Sequence, residues 1–316
     1  MSLNLLLFLL ISLCFGAELE GTIDVGHAVT DMIYKKGILY VATEQGEVKF
    51  VDLKKKKVLR SIELPAIRDF MGNPIPPKVY SVDLSPSRKE LLIVSQASGG
   101  FSEVYTYREG RGFEKVIDLG WNLIIKEGRY VSDDRALLAL LGDEIALMDL
   151  RKKEFIYRVQ VGRSSLSDID LSEDRQKAAV SDEAGVVSLV RVSDGKVIRR
   201  FKGVNVDKLY RLDYRDGKIL VGGRDRRVAL YYTDGDKYRK FPARFLVFSV
   251  AMDSSAKLGA YLYNEHSDVR VIELESGTEV AMLRGHTYPV SVMLFLDGKL
   301  LTGCDDGKIF IWRLER

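Results

Sequence analysis

The sequence predicts an all-β protein whose seven small sheets close into a ring, the architecture of a seven-bladed β-propeller. Short apolar runs that alternate with polar residues fill most of the chain, as expected for half-buried strands. No Pro-, Gly- or Ser-rich linker divides it, so one domain accounts for all units. The hairpin tips recur about every 40 residues, a propeller period, at Gly46, Gly99, Gly142, Gly185, Asp225, Asp268 and Gly307.

Each unit repeats one order of elements: a strand, a turn, a second strand, a polar tip and a third strand. In the last unit Asp297-Gly298 and Asp306-Gly307 stand between alternating runs, which is a strong hairpin signal. A four-stranded blade cannot bury both of its faces alone, so blades must stack radially. The second and third strands of successive units are predicted within residues 38–53, 91–107, 136–150, 177–192, 218–232, 258–274 and 299–312.

A fourth strand follows the polar turn of the complete units, for example over residues 54–64, 196–203 and 278–285. The seventh unit stops at Arg316 without one. A strand-like segment, 21–28, precedes the first unit. We therefore expect the mature N-terminus to supply the outer strand of blade seven, which closes the ring and covers an otherwise exposed edge.

The first residues differ from the rest of the chain. Leu3 to Phe15 are almost entirely apolar, and Gly16-Ala17 and the acidic Glu18 follow. This pattern predicts a secretory signal peptide over residues 1–17, although the first four residues carry no Lys or Arg. A membrane anchor, a buried helix and a lipoprotein attached at Cys14 are the alternatives. The prediction places the mature propeller, 18–316, in the periplasm without membrane insertion.

Composition excludes some functional classes. The formal net charge of +3 is too small to predict the concentrated basic face that nucleic-acid binding requires. Removal of the signal peptide leaves Cys304 as the one cysteine, so no internal disulfide is expected. We expect a monomer that binds no nucleic acid.

The last unit resembles a WD40 repeat, through Gly285-His286, Thr302-Gly303, Asp306-Gly307 and the ending Ile309 to Trp312. In that family a His, a Ser or Thr, an Asp and a Trp form a hydrogen-bonded tetrad within the blade. The resemblance therefore implies a structural tetrad of His286, Thr302, Asp306 and Trp312. The Trp is replaced in other units, by Val51, Met148, Val190, Tyr231 and Ile272.

The whole chain also resembles NapL, the accessory family of periplasmic nitrate reductase systems, in its signal peptide, divergent ring and single well-preserved repeat. That resemblance implies a role in periplasmic nitrate respiration without chemistry of its own. Propellers of the WD40 type commonly hold other proteins on their top face, which implies a non-catalytic protein-binding scaffold with a respiratory enzyme as its partner.

The chain lacks catalytic motifs: it has no phosphate-binding loop, no Gly-x-Ser-x-Gly and no His-Glu-x-x-His. His27 and His286 precede adjacent blades, but two ligands do not make a zinc site. Residues 168–174 begin like a calcium loop yet carry Glu173 where glycine is required, so we expect a strand and solvated turn there. We predict no catalytic residue, metal or cofactor. The alternative is a periplasmic propeller enzyme, either a metal-dependent lactonase-like hydrolase or a quinoprotein.

One insertion is a candidate for partner binding. The step from Gly46 to Gly99 is about ten residues longer than the others, and the extra length lies in residues 65–78. We expect it to project from the top face with Phe70, Met71 and Ile75 as partner contacts, stiffened by three prolines. The alternative is that it folds back over the central pore.

The turns predict two faces of different charge. The tips between second and third strands, here called b–c tips, should lie on the top face and are mostly acidic: Glu44, Asp143, Glu144, Asp182, Glu183, Asp305 and Asp306. The turns between third and fourth strands are basic, as in Lys54 to Lys57. A solvated rim explains these charges equally well. The exception on the top face is a basic b–c tip and candidate partner contact, formed by Arg224, Arg226 and Arg227.

Overall fold

The computed structural model describes residues 16–87 and 89–315, which form seven four-stranded antiparallel sheets and one small hairpin. The sheets are the blades of a propeller, and in each complete blade the strands lie side by side in chain order. The all-β seven-bladed architecture expected from the tip period is thereby confirmed. The predicted signal peptide spans residues 1–17. Residues 1–15 lie outside the described part of the chain, and Gly16 and Ala17 begin the first strand.

The strands of the first half of the chain form blades 1 to 3. Strand β1 (Gly16–Asp24) comes first and belongs to blade 7. Blade 1 contains β2 (Val29–Lys35), β3 (Ile38–Thr43), β4 (Glu47–Asp52) and β5 (Lys57–Glu63). The hairpin β6 (Ile67–Arg68) and β7 (Pro74–Ile75) follows. Blade 2 contains β8 (Val79–Leu84), β9 (Leu91–Gln96), β10 (Ser102–Arg108) and β11 (Gly112–Ile117). Blade 3 contains β12 (Ile125–Ser132), β13 (Arg135–Leu140), β14 (Glu144–Asp149) and β15 (Glu154–Gln160).

The second half forms blades 4 to 7. Blade 4 contains β16 (Leu166–Leu171), β17 (Lys177–Asp182), β18 (Val187–Arg191) and β19 (Val197–Phe201). Blade 5 contains β20 (Leu209–Arg215), β21 (Lys218–Gly223), β22 (Arg227–Tyr232) and β23 (Tyr238–Pro242). Blade 6 contains β24 (Val250–Met252), β25 (Leu258–Leu262), β26 (Val269–Glu273) and β27 (Glu279–Leu283). Blade 7 contains β28 (Val290–Leu296), β29 (Lys299–Cys304), β30 (Lys308–Glu315) and β1.

The ring closes where the first strand meets the last. β1 pairs antiparallel with β30, so that Ala17 lies opposite Leu314 and Ile23 opposite Ile309. Ion pairs from Glu18 to Arg313 and from Glu20 to Lys299 add to the ladder. The expected ring closure by the N-terminal strand is confirmed. Without β1, the backbone of β30 would be an open edge strand.

The core consists of seven apolar clusters, one between each pair of neighbouring blades. Successive residues of a strand point to opposite faces of its sheet. Leu137 accordingly packs toward blade 4 and Leu138 toward blade 2, and neither is exposed. Because both faces of every sheet are covered, the middle strands are nearly continuous apolar runs, as in 91–94 and 136–140.

At three b–c tips a glycine packs against the chain that enters the next blade: Gly46, Gly185 and Gly307. Gly307 has a φ of +80°, and a Cβ there would lie 2.6 Å from the His27 backbone nitrogen. Gly46 has a φ of +77° and packs against Pro77. Only glycine adopts this conformation without strain and also leaves room for the neighbouring backbone. The spacing of these glycines in the sequence therefore reflects contacts between neighbouring blades as well as hairpin turns.

Candidate functional site

A continuous chain of polar side chains on or beside the seven innermost strands joins every blade to the next. Carboxylates of blades 1 to 5 accept a backbone N–H of the following blade, and serine hydroxyls of blades 6 and 7 donate to a backbone carbonyl. The pairs are Asp31 with Val82 at 3.0 Å, Asp83 with Tyr130 at 2.7 Å, Glu127 with Ile169 at 3.2 Å, Asp168 with Leu212 at 2.7 Å, Asp213 with Met252 at 2.6 Å, Ser249 with Val290 at 2.6 Å and Ser291 with Val29 at 2.7 Å.

Arginines fill the middle of the central channel. Arg129 of blade 3 reaches the Asp31 carboxylate of blade 1 at 2.9 Å and also pairs with Glu127. Arg211 of blade 5 pairs with Asp168 at 3.2 Å and donates to the Thr30 carbonyl of blade 1 at 3.2 Å. The space left at mid-height is only about 90 Å³. The channel therefore has two separate mouths instead of one open pore.

Carboxylates outnumber arginines in the channel, and the pKa values of two of these carboxyl groups are raised. Burial raises the pKa of Asp213 to about 7; Arg215 opposes the shift and the neighbouring Asp170 adds to it. Burial likewise raises the pKa of Glu127 well above its usual value, with Arg129 opposing and Asp168 contributing. A buried carboxylate beside another carboxylate holds its proton more tightly. The channel thus retains protons near neutral pH.

Residues 168–174 contribute to this network and do not form a calcium loop. Asp168 and Asp170 lie in β16, and each accepts a backbone N–H of blade 5, from Leu212 and Tyr214. The expectation of a strand and turn holds, but Asp168 is buried instead of solvated. Sequence reasoning missed the whole polar chain. The available signal was the recurrence of charged residues at alternate positions of the first strand in several units.

A funnel of about 560 Å³ opens at one mouth of the channel. The b–c tips and the loops between blades meet there, so this is the top face expected for the acidic tips. The lining combines aromatic, basic and acidic side chains from six blades, among them Glu44, Tyr80, Lys126, Tyr210, Arg211 and Asp305. The opposite mouth is a separate cavity of about 480 Å³ that includes Tyr34, Glu173, Arg175 and Arg215.

Residues 65–78 form a rigid hairpin on the top face. The Asp69 carboxylate accepts the backbone N–H groups of Met71 and Asn73, both at 2.8 Å. The Arg68 backbone N–H donates to the Ser98 hydroxyl of blade 2 at 3.0 Å. At the tip Phe70 is 97% exposed and Met71 is 72% exposed.

The hairpin stands between the b–c tips of blades 1 and 2, not over the pore. Pro76 and Pro77 pack on Gly46 of blade 1, and none of residues 65–77 lines the funnel. Lys78, the last residue of the insertion, lines the funnel, and the hairpin itself stands beside the funnel. Ile75 is half-buried and pairs with Ile67 at the base of the hairpin, away from its exposed tip.

The candidate arginines lie on blade 5, on the other side of the ring from the hairpin. Arg224 approaches Asp207 at 3.9 Å, and Arg227 approaches Asp225 at 3.8 Å while donating to the Val204 carbonyl. Arg226 is exposed at the tip with a φ of +59°. The structure therefore does not bring the two sets of predicted contacts together.

Three of the four residues in the implied tetrad form a hydrogen-bonded chain. The Trp312 indole N–H donates to the Thr302 hydroxyl at 3.2 Å, and that hydroxyl lies 2.8 Å from Nε2 of His286. The Trp312 indole nitrogen can only donate, so the Thr302 hydroxyl accepts that hydrogen bond and can donate its own to Nε2 of His286. Asp306 instead bonds the Lys308 backbone N–H at 3.2 Å and pairs with its side chain at 3.0 Å.

The His286 ring is kept neutral by its surroundings. Burial lowers its pKa to about 4, and the Ser267 backbone and the Asp268 and Asp306 carboxylates only partly offset this. Its Nδ1 is buried without a hydrogen bond of normal geometry. A neutral ring matches a structural role, because a buried imidazolium would need a counter-ion in contact.

The acidic b–c tips are not one uniform solvated rim. Asp143 and Asp182 are buried between blades 3 and 4, whereas Glu44 and Asp305 are exposed. Burial raises the pKa of Asp143 to about 6, the Asp182 carboxylate adds to the shift, and Arg200 opposes it. Asp182 itself accepts the backbone N–H groups of Ala184 and Val186. Asp143 and Asp182 are therefore part of the folded b–c tips and not of a solvated rim.

His27 and His286 do not share a site, because His286 is buried in its blade while the His27 side chain is 48% exposed near Glu47. Among residues 16–87 and 89–315 no group of three or more His, Cys, Asp or Glu side chains has the arrangement to hold a metal ion. Burial raises the pKa of Cys304 to about 12. No helix in that part of the chain is long and apolar enough to span a membrane.

Comparisons with known proteins agree with this geometry. Residues 277–313 match the family model "WD domain, G-beta repeat", the WD40 repeat. The chain is similar to the β-propeller domain of Myceliophteria thermophila Cps50 (Swd1), with a TM-score of 0.75 and 18% identity over 95% of this chain and 100% of that one. No curated protein matches. The protein is thus a seven-bladed propeller whose last blade carries a WD40 repeat.

Proposed function

We propose that this protein is a non-catalytic protein-binding scaffold that docks a partner on its top face. The observation that carries the proposal is the exposure of Phe70 and Met71 on a hairpin whose backbone is already held in place. Large apolar side chains are rarely left this exposed without a contact to make. A preformed hairpin also loses little conformational entropy when it binds, which favours affinity.

Other apolar side chains extend this surface. Leu119, Ile124, Val206 and Tyr288 are all exposed in loops that precede innermost strands, and these loops lie on the top face. Ile124 also lines the funnel. A partner that covers the Phe70–Met71 tip and reaches toward the funnel would bury several of these side chains together, as in the centre of a protein interface.

The proposal extends to location and partner. We infer an exported protein whose partner is a periplasmic respiratory enzyme, with nitrate reductase as the first candidate. Two features of the sequence support this: the apolar segment from Leu3 to Phe15 followed by small residues, and the resemblance of the whole chain to NapL.

Affinity capture from the native periplasm tests the proposal, with the chain from Glu18 onward as bait. We expect stoichiometric recovery of nitrate reductase with the unchanged bait and at least a tenfold loss with Phe70→Ser and Met71→Ser combined. The matched control is Leu59→Ser with Tyr238→Ser, two side chains that are 50% and 54% exposed on outer strands. Equal recovery from both double variants would contradict the docking site. A stoichiometric metal or chromophore in the purified protein would favour the enzyme alternative.

A further inference from the structure

Four charged side chains that line the funnel on the top face make no salt bridge within residues 16–87 and 89–315: Lys126, Lys78, Asp305 and Glu44. Lys126 enters from blade 3 and Asp305 from the b–c tip of blade 7, three blades away around the ring. Neither makes a salt bridge within the part of the chain that the structure describes. Three further lining charges are already paired: Arg211 with Asp168 at 3.2 Å, and Glu127 with Arg129. Lys208, which lies near Lys126, pairs with Glu183 at 2.7 Å.

The environment of each charge disfavours its ionised form. Burial lowers the pKa of Lys126, and the nearby Lys208 lowers it further, whereas Glu183 and Asp168 oppose the shift. Partial burial of the carboxyl group raises the pKa of Asp305, although the residue as a whole is exposed; Ser291 and Lys78 oppose this shift, and Glu44 and Asp306 add to it. The nearby opposite charges offset these shifts only in part, so a ligand group of opposite sign would stabilise the ionised form of each side chain.

The charges divide the funnel into two sides. On the side of blades 7 and 1, Asp305 and Glu44 outnumber the one lining cation, Lys78. On the side of blades 3 to 5, Lys126 is the one lining charge that makes no salt bridge among the described residues. A simple anion would meet Asp305 and Glu44, and a simple cation would meet Lys126. A molecule that carries both charges satisfies both sides.

Aromatic rings line the space between the two sides. Tyr80 and Tyr210 belong to the funnel wall, and Phe248 packs against Tyr210 with ring centroids 4.9 Å apart. Such walls suit an apolar spacer and favour a cationic nitrogen close to a ring face. The volume of about 560 Å³ is in the range of pockets that bind small molecules.

We propose that the funnel binds a small zwitterion, with its anionic group at Lys126, its cationic nitrogen at Asp305 and Glu44, and its spacer along Tyr80 and Tyr210. This ligand site goes beyond the scaffold role, because it uses the funnel and not the Phe70–Met71 tip. A bound zwitterion supplies each unpaired charge with its counter-charge and removes water from both.

Isothermal titration calorimetry on the purified protein tests the ligand class. The probes are glycine, 4-aminobutyrate and 6-aminohexanoate, which differ in the distance between their charges. Hexanoate and hexylamine are the controls that each lack one charge. We expect at least one ω-amino acid to bind at least tenfold more tightly than either control. Binding by none of the three at millimolar concentration, or equal binding by hexanoate or hexylamine, would overturn the proposal.

Two variants test the two ends independently. Lys126→Met and Asp305→Asn should each weaken binding of the best probe at least tenfold, while Lys54→Met, an exposed site on the opposite face, should not. If one variant does not fold, as judged by thermal unfolding, the other still decides. Unchanged affinity in a folded variant would contradict the assignment of that end. The Phe70→Ser, Met71→Ser protein should bind the probe normally, so this proposal and the scaffold proposal fail separately.

Discussion

Arg129 and Asp31 form an ion pair of 2.9 Å across the centre of the ring, between blade 3 and blade 1. The two residues are 98 positions apart in the chain. Asp31 simultaneously accepts the Val82 backbone N–H of blade 2, so one carboxylate ties three blades together. With Arg211, which reaches the Thr30 carbonyl from blade 5, this pair holds blade 1 from inside the ring while β1 closes it from outside.

We expect Arg129→Met to destabilise the protein by about 3–5 kcal/mol, because it leaves Asp31 and Glu127 buried without their counter-charge. Urea unfolding followed by circular dichroism measures the change. Arg151→Met is the control: its side chain is 77% exposed and pairs with Asp134, so its loss should cost less than about 1 kcal/mol. Similar losses in both variants would show that the channel ion pair has no special role.

Removal of β1 should open the ring. A protein that starts at Val25 exposes the β30 edge and loses the buried Ile23. We expect a lower melting temperature and concentration-dependent association, because an unpaired edge strand pairs readily with another chain. Size-exclusion chromatography with light scattering measures the association, with a protein that starts at Gly16 as the control. A stable monomer without β1 would contradict this role of the strand.

The buried imidazole of His286 should make the protein less stable in acid. Its pKa is about 4 in the folded protein against 6.5 as the ordinary value, so the unfolded chain takes up this proton first. Stability therefore falls as the pH drops from about 6.5 to 4, by on the order of 3 kcal/mol from this residue. Urea unfolding at pH 7 and pH 4 measures the loss.

His286→Gln removes this titration while keeping a side chain that accepts the Thr302 hydroxyl. The difference in stability between pH 7 and pH 4 should then shrink by about 3 kcal/mol relative to the unchanged protein. Other titrating groups cancel in this comparison. An identical pH dependence in both proteins would mean that the pKa of His286 is the same in the folded and the unfolded chain, which contradicts the effect of burial.

The contribution of Asp143 to stability should change with pH in the opposite direction from that of His286. Burial and the Asp182 carboxylate raise its pKa from 3.8 to about 6, so the folded protein holds this proton more tightly than the unfolded chain does. Its contribution is most favourable below pH 3.8 and is lost as the pH rises through 6. Asp143→Asn should therefore stabilise the protein by about 2–3 kcal/mol more at pH 8 than at pH 3.5.

Glu144→Gln is the matched control for Asp143, since this neighbouring acid is partly exposed and pairs with Arg158. It should not stabilise the protein at pH 8. The readout is the free energy of unfolding at both pH values. A stabilisation by Asp143→Asn that is equal at pH 3.5 and pH 8 would indicate a packing effect instead of a charge effect.

Sequence patterns predicted the structural features that depend on residues close together in the chain. The seven tips, the strands around them and the closure by β1 follow from turn residues and from alternation along the chain, and the structure confirms them. The Trp312, Thr302 and His286 contacts follow from one repeat motif. Asp306 does not complete the chain: its carboxylate accepts the Lys308 backbone N–H and pairs with the Lys308 side chain.

The number of blades, their order along the chain and the strand that closes the ring could all be read from the amino-acid sequence, because they follow from periodicity and from the need to bury both faces of every sheet. Three features became visible in the folded ring alone: the Arg129–Asp31 ion pair in the channel, the presence of Lys126 and Asp305 in the lining of one funnel, and a hairpin held by Ser98 and Gly46. Such pairings depend on distances across a closed ring, which no local pattern encodes.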